Sequence, residues 1–152
     1  MRLTLFQPEI PQNTGTLIRL GACLNVPIDL IEPCGFVLTD KGLKRAGMDY
    51  IDLAVLNRYI SWKDFMDNRP LGRLIFLTPE SPTPYHLFSF NHNDTLLLGS
   101  ESTGIPQELY SNMDATVSIP MVPERRSLNV AIAAAMVLGE ALKQTNLFPR
   151  TL

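Results

Sequence analysis

Cysteine is scarce in this 152-residue chain: Cys23 and Cys34 stand alone, with no C-x-x-C pair and no histidine cluster beside them. A disulfide framework is thereby excluded, and the spacing suits neither a zinc site nor a redox pair, so no metal is expected. The two histidines, His86 and His92, have no spacing that points to a catalytic partner, and both read as loop residues. Nowhere do eighteen apolar residues run together, and the apolar opening at residues 3–6 is too short for a signal peptide; a cytoplasmic protein without a membrane partner is expected. Also missing are G-x-G-x-x-G, G-x-x-x-x-G-K-[ST] and G-x-S-x-G. Without them, dinucleotide, P-loop and serine-hydrolase chemistry lack their phosphate cradles and nucleophile elbow. A basic excess, the usual mark of a nucleic-acid partner, is absent as well, since the net charge is −2.

The mean charge conceals three zones. Residues 1–73 carry nine basic and eight acidic side chains, residues 74–124 carry no base and six acids, and residues 125–152 carry four bases and one acid. The middle zone reads equally as a solvated face or as a site for a cation. With 45% apolar residues, 9 Gly and 12 Pro, the composition is that of a globular protein. At this length roughly 70% of the unfolded surface is buried on folding, enough for one domain over 1–152 without a staple.

Short apolar runs at 3–6, 28–31, 53–56, 74–77, 95–98 and 116–119 read as buried strands. Helical patterns fall at 14–24, 41–46, 62–67, 106–112 and 128–144. The alternation predicts an α/β fold with a mostly parallel sheet and helices on both faces. Asn13 or Thr14 is expected to cap the first helix, and Pro106 to open the fourth. The last helix has no polar side chain from Val130 to Gly139. A helix apolar all round must be covered all round, so a second copy of the chain is expected against its outer side.

Ligands of an open parallel sheet bind outside the carboxyl ends of its strands. Three loops there are rich in Gly, Pro and small polar residues: 7–19, 99–106 and 120–129. The first contains Asn13, Gly15 and Arg19 in the pattern N-x-G-x-x-x-R. The second contains Gly99, Glu101 and Gly104 as G-x-E-x-x-G, and the third runs Ile119-Pro120-Met121 to Ser127-Leu128-Asn129. In this order the three patterns resemble the motifs of the SPOUT RNA methyltransferases. Accessory strings at 8–15, 31–36 and 43–50 are similar to one branch of that family, small single-domain enzymes that 2'-O-methylate cytidine 34 of tRNA.

The resemblance implies a C-terminal trefoil knot, a homodimer, S-adenosylmethionine as cofactor with S-adenosylhomocysteine as product, and the tRNA anticodon stem-loop as substrate. By motif position the cofactor contacts would come from Leu77, Gly99, Ile119 and Ser127, with Met121 and Leu128 nearby. Recognition by backbone groups suits loops built of Gly and Pro. Glu101 is either a brace of its loop or a ligand contact. Arg19 is the implied catalytic residue. Arginine holds its proton to about pH 12, which leaves a guanidinium whose proton is drawn to a substrate phosphate, or a fixed cation facing the developing oxyanion. Asn13 would orient Arg19 or cap the helix, and Asn129 would shape the pocket floor. Arg2, Lys41, Lys44, Arg45, Arg58, Arg125 and Arg126 are the available phosphate contacts, with Tyr50 or Phe36 as stacking surfaces. In the last helix the chain departs from the branch pattern at Ala131 and Gly139. The same motifs also serve relatives acting at other RNA positions, and a module that binds nucleotide or RNA without turnover is the non-enzymatic alternative.

Overall fold

The computed structural model describes residues 1–37, 39, 41, 45, 50 and 52–151. Six strands form one sheet: β1 (Arg2–Phe6), β2 (Ile28–Ile31), β3 (Leu56–Tyr59), β4 (Leu74–Leu77), β5 (Thr95–Leu98) and β6 (Ala115–Val117). Their order is β3-β2-β1-β5-β4-β6, with every pair parallel. The helices among the described residues are α1 (Pro11–Leu24), α2 (Trp62–Asn68) and α3 (Val130–Thr145).

Alternate side chains of each strand feed two cores. Leu3, Leu5, Ile28, Leu30, Ile75, Leu96 and Leu98 pack beneath α1 and α3, together with Leu17, Ile18, Val137 and Leu138. Phe6, Ile31, Leu74, Phe76 and Leu97 face the other way, against Phe65 of α2. Helices on both faces explain why the strands read as continuous apolar runs. Among the described residues two carboxylates are fully buried in this setting, Asp29 and Asp94. Arg2 pairs with Asp29 through Nη2 at 2.6 Å and Nε at 3.0 Å, while Thr4 and Asn57 donate to the same carboxylate. Arg73 grips Asp94 in the same two-pronged way at 2.7 and 2.9 Å. Leaving either carboxylate unpartnered would cost several kcal/mol. Arg2 is therefore a structural residue and not the phosphate contact expected of it.

The boundaries differ from expectation where pairing outweighs local apolarity. β3 occupies 56–59 and not 53–56, because its register on β2 sets Leu56 against Ile28 and leaves Leu53 and Val55 exposed. β6 stops at Val117, where Ser118 leaves the ladder to bond the carbonyl of Thr83. The turn after Pro106 is a 3-10 helix over Gln107–Asn112, with Pro106 extended just before it. The first helix begins at Pro11, whose missing N–H suits a first turn, so Asn13 and Thr14 lie inside the helix and cap nothing. The helix expected at 41–46 falls largely outside the described residues.

Candidate active site

From β1 the chain proceeds outward through β2 and β3, then returns to place β5 on the other side of β1. The carboxyl ends of β1 and β5 thus flank the point where strand order reverses, the usual ligand crevice of an open α/β sheet. Two of the three motif loops start there.

Those two loops exchange carboxylates. Glu101 accepts from the backbone N–H groups of Glu9 at 2.7 Å and Ile10 at 3.3 Å, so an acid from the second loop serves the entrance of α1, which has no cap of its own. Glu9 returns the arrangement: Ser100 Oγ donates to it at 2.9 Å, Ser102 Oγ at 2.6 Å and Ser102 N–H at 3.2 Å. Hydrogen bonds from Ser102 and Ser100 hold the Glu9 carboxyl below its ordinary value. Within the second loop Ser100 and Gly104 exchange backbone hydrogen bonds at 2.9 Å, and Gly104 is left-handed at φ 66°. A Cβ on Gly99 would lie 2.6 Å from Gly104 Cα, so only glycine allows that closure. The loop 33–36 also seats against Glu9, and burial there pushes the Cys34 thiol up to about 11.

A side-chain relay brings in the third loop. Asn13 Nδ2 donates to Glu101 Oε1 at 3.4 Å, Asn129 Nδ2 donates to Asn13 Oδ1 at 3.0 Å, and Asn129 Oδ1 caps α3 by accepting from Ala131 and Ile132 at 2.9 and 3.3 Å. A carboxylate can only accept, which fixes the direction of every amide in the series.

Between these loops and the carboxyl ends of β4, β5 and β6 opens a cleft of about 580 Å³, within the range of small-molecule sites. Leu77, Gly99, Ile119, Met121, Ser127 and Leu128 all line it, as do Asn13 and Asn129. Thr78, Pro79, Glu80 and Tyr110 line it as well and were not singled out in the sequence. The first three directly follow β4, so the strand-end rule alone could have found them. Arg19 is not among the lining residues; it is exposed on α1, with its guanidinium carbon 4.6 Å from the centre of the Tyr50 ring. The acidic zone is only partly a feature of the cleft. Glu80 and Glu101 line it, whereas Asp94 is committed to Arg73 and Asp114 accepts the Leu74 N–H at 2.7 Å. Among the described lining residues there is no Lys, Arg or His. Apolar walls for a nucleobase, glycine backbone open to close approach and a carboxylate-bearing rim fit S-adenosylmethionine, a nucleoside with a cationic sulfonium.

Of the expected phosphate contacts, Arg58 is paired with Glu32 at 2.7 Å, Lys41, Arg45, Arg125 and Arg126 are exposed, and Lys44 is outside the described residues.

Fold and cleft together define a parallel α/β protein with a nucleoside-sized site at its topological switch point. The chain belongs to the SpoU rRNA methylase family, whose model matches residues 1–139. It is 49% identical to the tRNA (cytidine(34)-2'-O)-methyltransferase of Beijerinckia indica over 93% of this chain and 90% of the relative. It is 46% identical to the protein of that name from Ancylobacter novellus over 99% and 97%. A structure described as giving insights into the 2-OH methylation of C/U34 on tRNA superposes with a TM-score of 0.88 at 39% identity, covering 94% of each chain. The SpoU methyltransferase AviRb of Streptomyces viridochromogenes, solved with AdoMet, superposes at 0.83 with 26% identity over 95% of this chain and 60% of that one.

Proposed function

We infer that this chain methylates the ribose 2'-hydroxyl of nucleotide 34 in tRNA, cytidine foremost and modified uridine by the same ribose chemistry, using S-adenosylmethionine. The observation that carries the reading is the convergence of three sequence-distant motif loops on one cleft, in a chain nearly half identical over its length to tRNA (cytidine(34)-2'-O)-methyltransferases. When bound, the cofactor supplies an electrophilic methyl group on sulfur. Leu77, Gly99, Ile119, Met121, Ser127 and Leu128 hold it. The protein's remaining work is to align the hydroxyl and ease its proton loss.

Arg19 serves as the cation facing the developing oxyanion; it is exposed on α1 and does not line the cleft. Asn13 and Asn129 act by fixing the loops around the cofactor: the relay from Glu101 engages both amides.

The outer side of α3 leaves Ile132 56% and Met136 40% exposed, an apolar stripe at i, i+4. A second copy covers this stripe, and the anticodon stem-loop lies across both copies, with Arg125, Arg126, Lys41 and Arg45 on its phosphates. The C-terminal segment is threaded through a loop as a trefoil knot. One domain over 1–152 carries the activity, in the cytoplasm with the tRNA pool; no helix among the described residues is long and apolar enough to cross a membrane.

Incubation with methyl-labelled cofactor and total tRNA, followed by nucleoside mapping, tests the reading. Label in the 2'-O-methyl nucleoside of position 34 is expected, and label only at another position would reassign the target. Arg19→Ala should keep cofactor affinity by calorimetry and abolish transfer; full turnover in that variant would remove Arg19 from the chemistry.

A further inference from the structure

We propose that Tyr110 is the aromatic wall against which the purine base of the cofactor lies, a binding residue outside all three motif loops. The inference rests on the reading of the cleft as a site for S-adenosylmethionine. Among the described residues lining the cleft, Phe76 and Tyr110 carry the aromatic rings. Phe76 is 2% exposed, so its surface is spent inside the second core, whereas Tyr110 is half-buried and keeps part of its surface open. The neighbouring apolar walls, Leu77, Leu98 and Ile119, are aliphatic.

The Tyr110 ring is held without being covered. Its centre lies 5.6 Å from that of Phe76 with the planes at 63°, an edge-to-face pair in which each ring meets the other across one edge or one face only. The backbone beneath it is pinned at several points. Ile105 is buried just before the 3-10 helix Gln107–Asn112, the Leu109 N–H donates to the Pro106 carbonyl at 3.0 Å, and the Met113 N–H donates to the Tyr110 carbonyl at 3.1 Å. At the exit Asp114 ties the segment to β4 by accepting the Leu74 N–H at 2.7 Å. A tyrosine has two side-chain torsions to fix, so on such a backbone it offers a ligand a large flat surface at small entropic cost.

A flat base gains from such a ring what an aliphatic wall does not supply. Aromatic pairs contribute beyond the area they bury, and every nucleobase has a π-face to offer. The contact involves no charge on the ring and is indifferent to the sulfonium. Methyl donor and demethylated product should therefore depend on Tyr110 alike. Among the described residues no hydrogen bond engages the Tyr110 hydroxyl, so Tyr110→Phe keeps the ring and takes no bond from the protein.

The test is a direct one between ring and base. The chain labelled on tyrosine alone and bound to S-adenosylhomocysteine should show nuclear Overhauser contacts between the adenine protons and a tyrosine ring, and labelled Tyr110→Phe should lose them. In calorimetry Tyr110→Leu should bind S-adenosylmethionine and S-adenosylhomocysteine about tenfold more weakly, both by the same factor. Its KM for cofactor should rise to match, with kcat at saturating cofactor within about twofold of wild type. Tyr110→Phe should stay within about twofold in affinity. Wild-type affinity in Tyr110→Leu, a loss confined to one of the two ligands, a fall in kcat at unchanged cofactor KM, or a Phe variant as weak as Leu overturns the proposal. If Tyr110→Leu does not fold, the ring contact and the Phe variant decide. S-adenosylhomocysteine bound without the ring contact defeats only this inference, whereas a wild-type chain that binds neither ligand defeats the reading of the cleft on which it rests.

Discussion

Asn129 has two separable jobs, and substitutions can divide them. Its Oδ1 caps α3 and its Nδ2 donates to Asn13 at 3.0 Å. Removing both in Asn129→Ala forfeits an N-cap worth about 1 kcal/mol and an exposed hydrogen bond worth about 0.5 kcal/mol. A total near 1.5 kcal/mol lowers Tm by roughly 3–6 °C for a domain of this size. Asn129→Asp retains the cap, and its charge suits the positive end of the helix, so its melting temperature should lie above that of Asn129→Ala. It nevertheless sets a carboxylate against Asn13 Oδ1. Asn13 cannot rotate its amide to compensate, because its Nδ2 faces the Glu101 carboxylate. Cofactor affinity and methyl transfer should therefore fall in Asn129→Asp by about tenfold, the equivalent of the roughly 1.4 kcal/mol of a lost hydrogen bond with an acceptor clash. Thermal melting by circular dichroism and titration calorimetry on the same preparations read the two effects. An Asp variant as unstable as Ala, or one with undiminished cofactor affinity, would refute the reasoning about relay polarity.

Gly99→Ala should weaken cofactor binding at least about tenfold and cost about 1–3 kcal/mol in urea denaturation, because the new methyl meets the backbone of Gly104 at 2.6 Å and no side chain there can yield; near wild-type affinity would show that the loop closure does not shape the cleft. The Glu9 carboxyl is held low in the folded chain, so its contribution is complete above its ordinary value of 4.5 and disappears as pH falls through the lowered folded value. The gap in urea midpoint between wild type and Glu9→Gln should accordingly be open at pH 6 and close below pH 4.5; a gap independent of pH would mean that the serine contacts do not depend on the charge. Ile132→Glu combined with Met136→Glu should convert a sedimenting dimer to monomer, since both side chains stand on the uncovered stripe of α3; an unchanged sedimentation coefficient would place the contact elsewhere.

Periodicity and composition carried the architecture further than the details of its edges. The buried strands were legible because parallel strands covered on both faces are near-continuous apolar runs, as Leu74–Leu77 and the last three residues of Thr95–Leu98 are. Leu53 and Val55 misled for the converse reason: an apolar side chain is no guide to pairing when the register is fixed by Ile28↔Leu56. The cleft was legible through its motifs, and all six expected cofactor residues line it. What escaped was every arrangement that depends on a partner from another loop. Glu9 lies in the string 8–15 but outside the N-x-G-x-x-x-R pattern, and nothing in the sequence pairs it with Ser100 and Ser102, onto which it closes the first loop. Segment charge misled in the same way, because Asp94 and Asp114 are spent on Arg73 and the Leu74 backbone before any ligand can feel them.

The exchange of Glu9 and Glu101 between two loops has an energetic consequence for how the site tolerates change. Each carboxylate is held by groups adjacent to the other: Glu101 binds the N–H of Glu9 itself, and Ser100 and Ser102, which hold Glu9, flank Glu101. Loosening one loop therefore withdraws partners from both acids at once. Residues joined in this way lose their contribution as a unit, so a second substitution in the clasp costs less than it does alone. The cleft lies between these loops, and cofactor binding must draw on the same closure. A single clasp substitution is thus expected to cost cofactor affinity nearly as much as a double one, which places the site's tolerance in the pairing of its loops and not in any one of its wall residues.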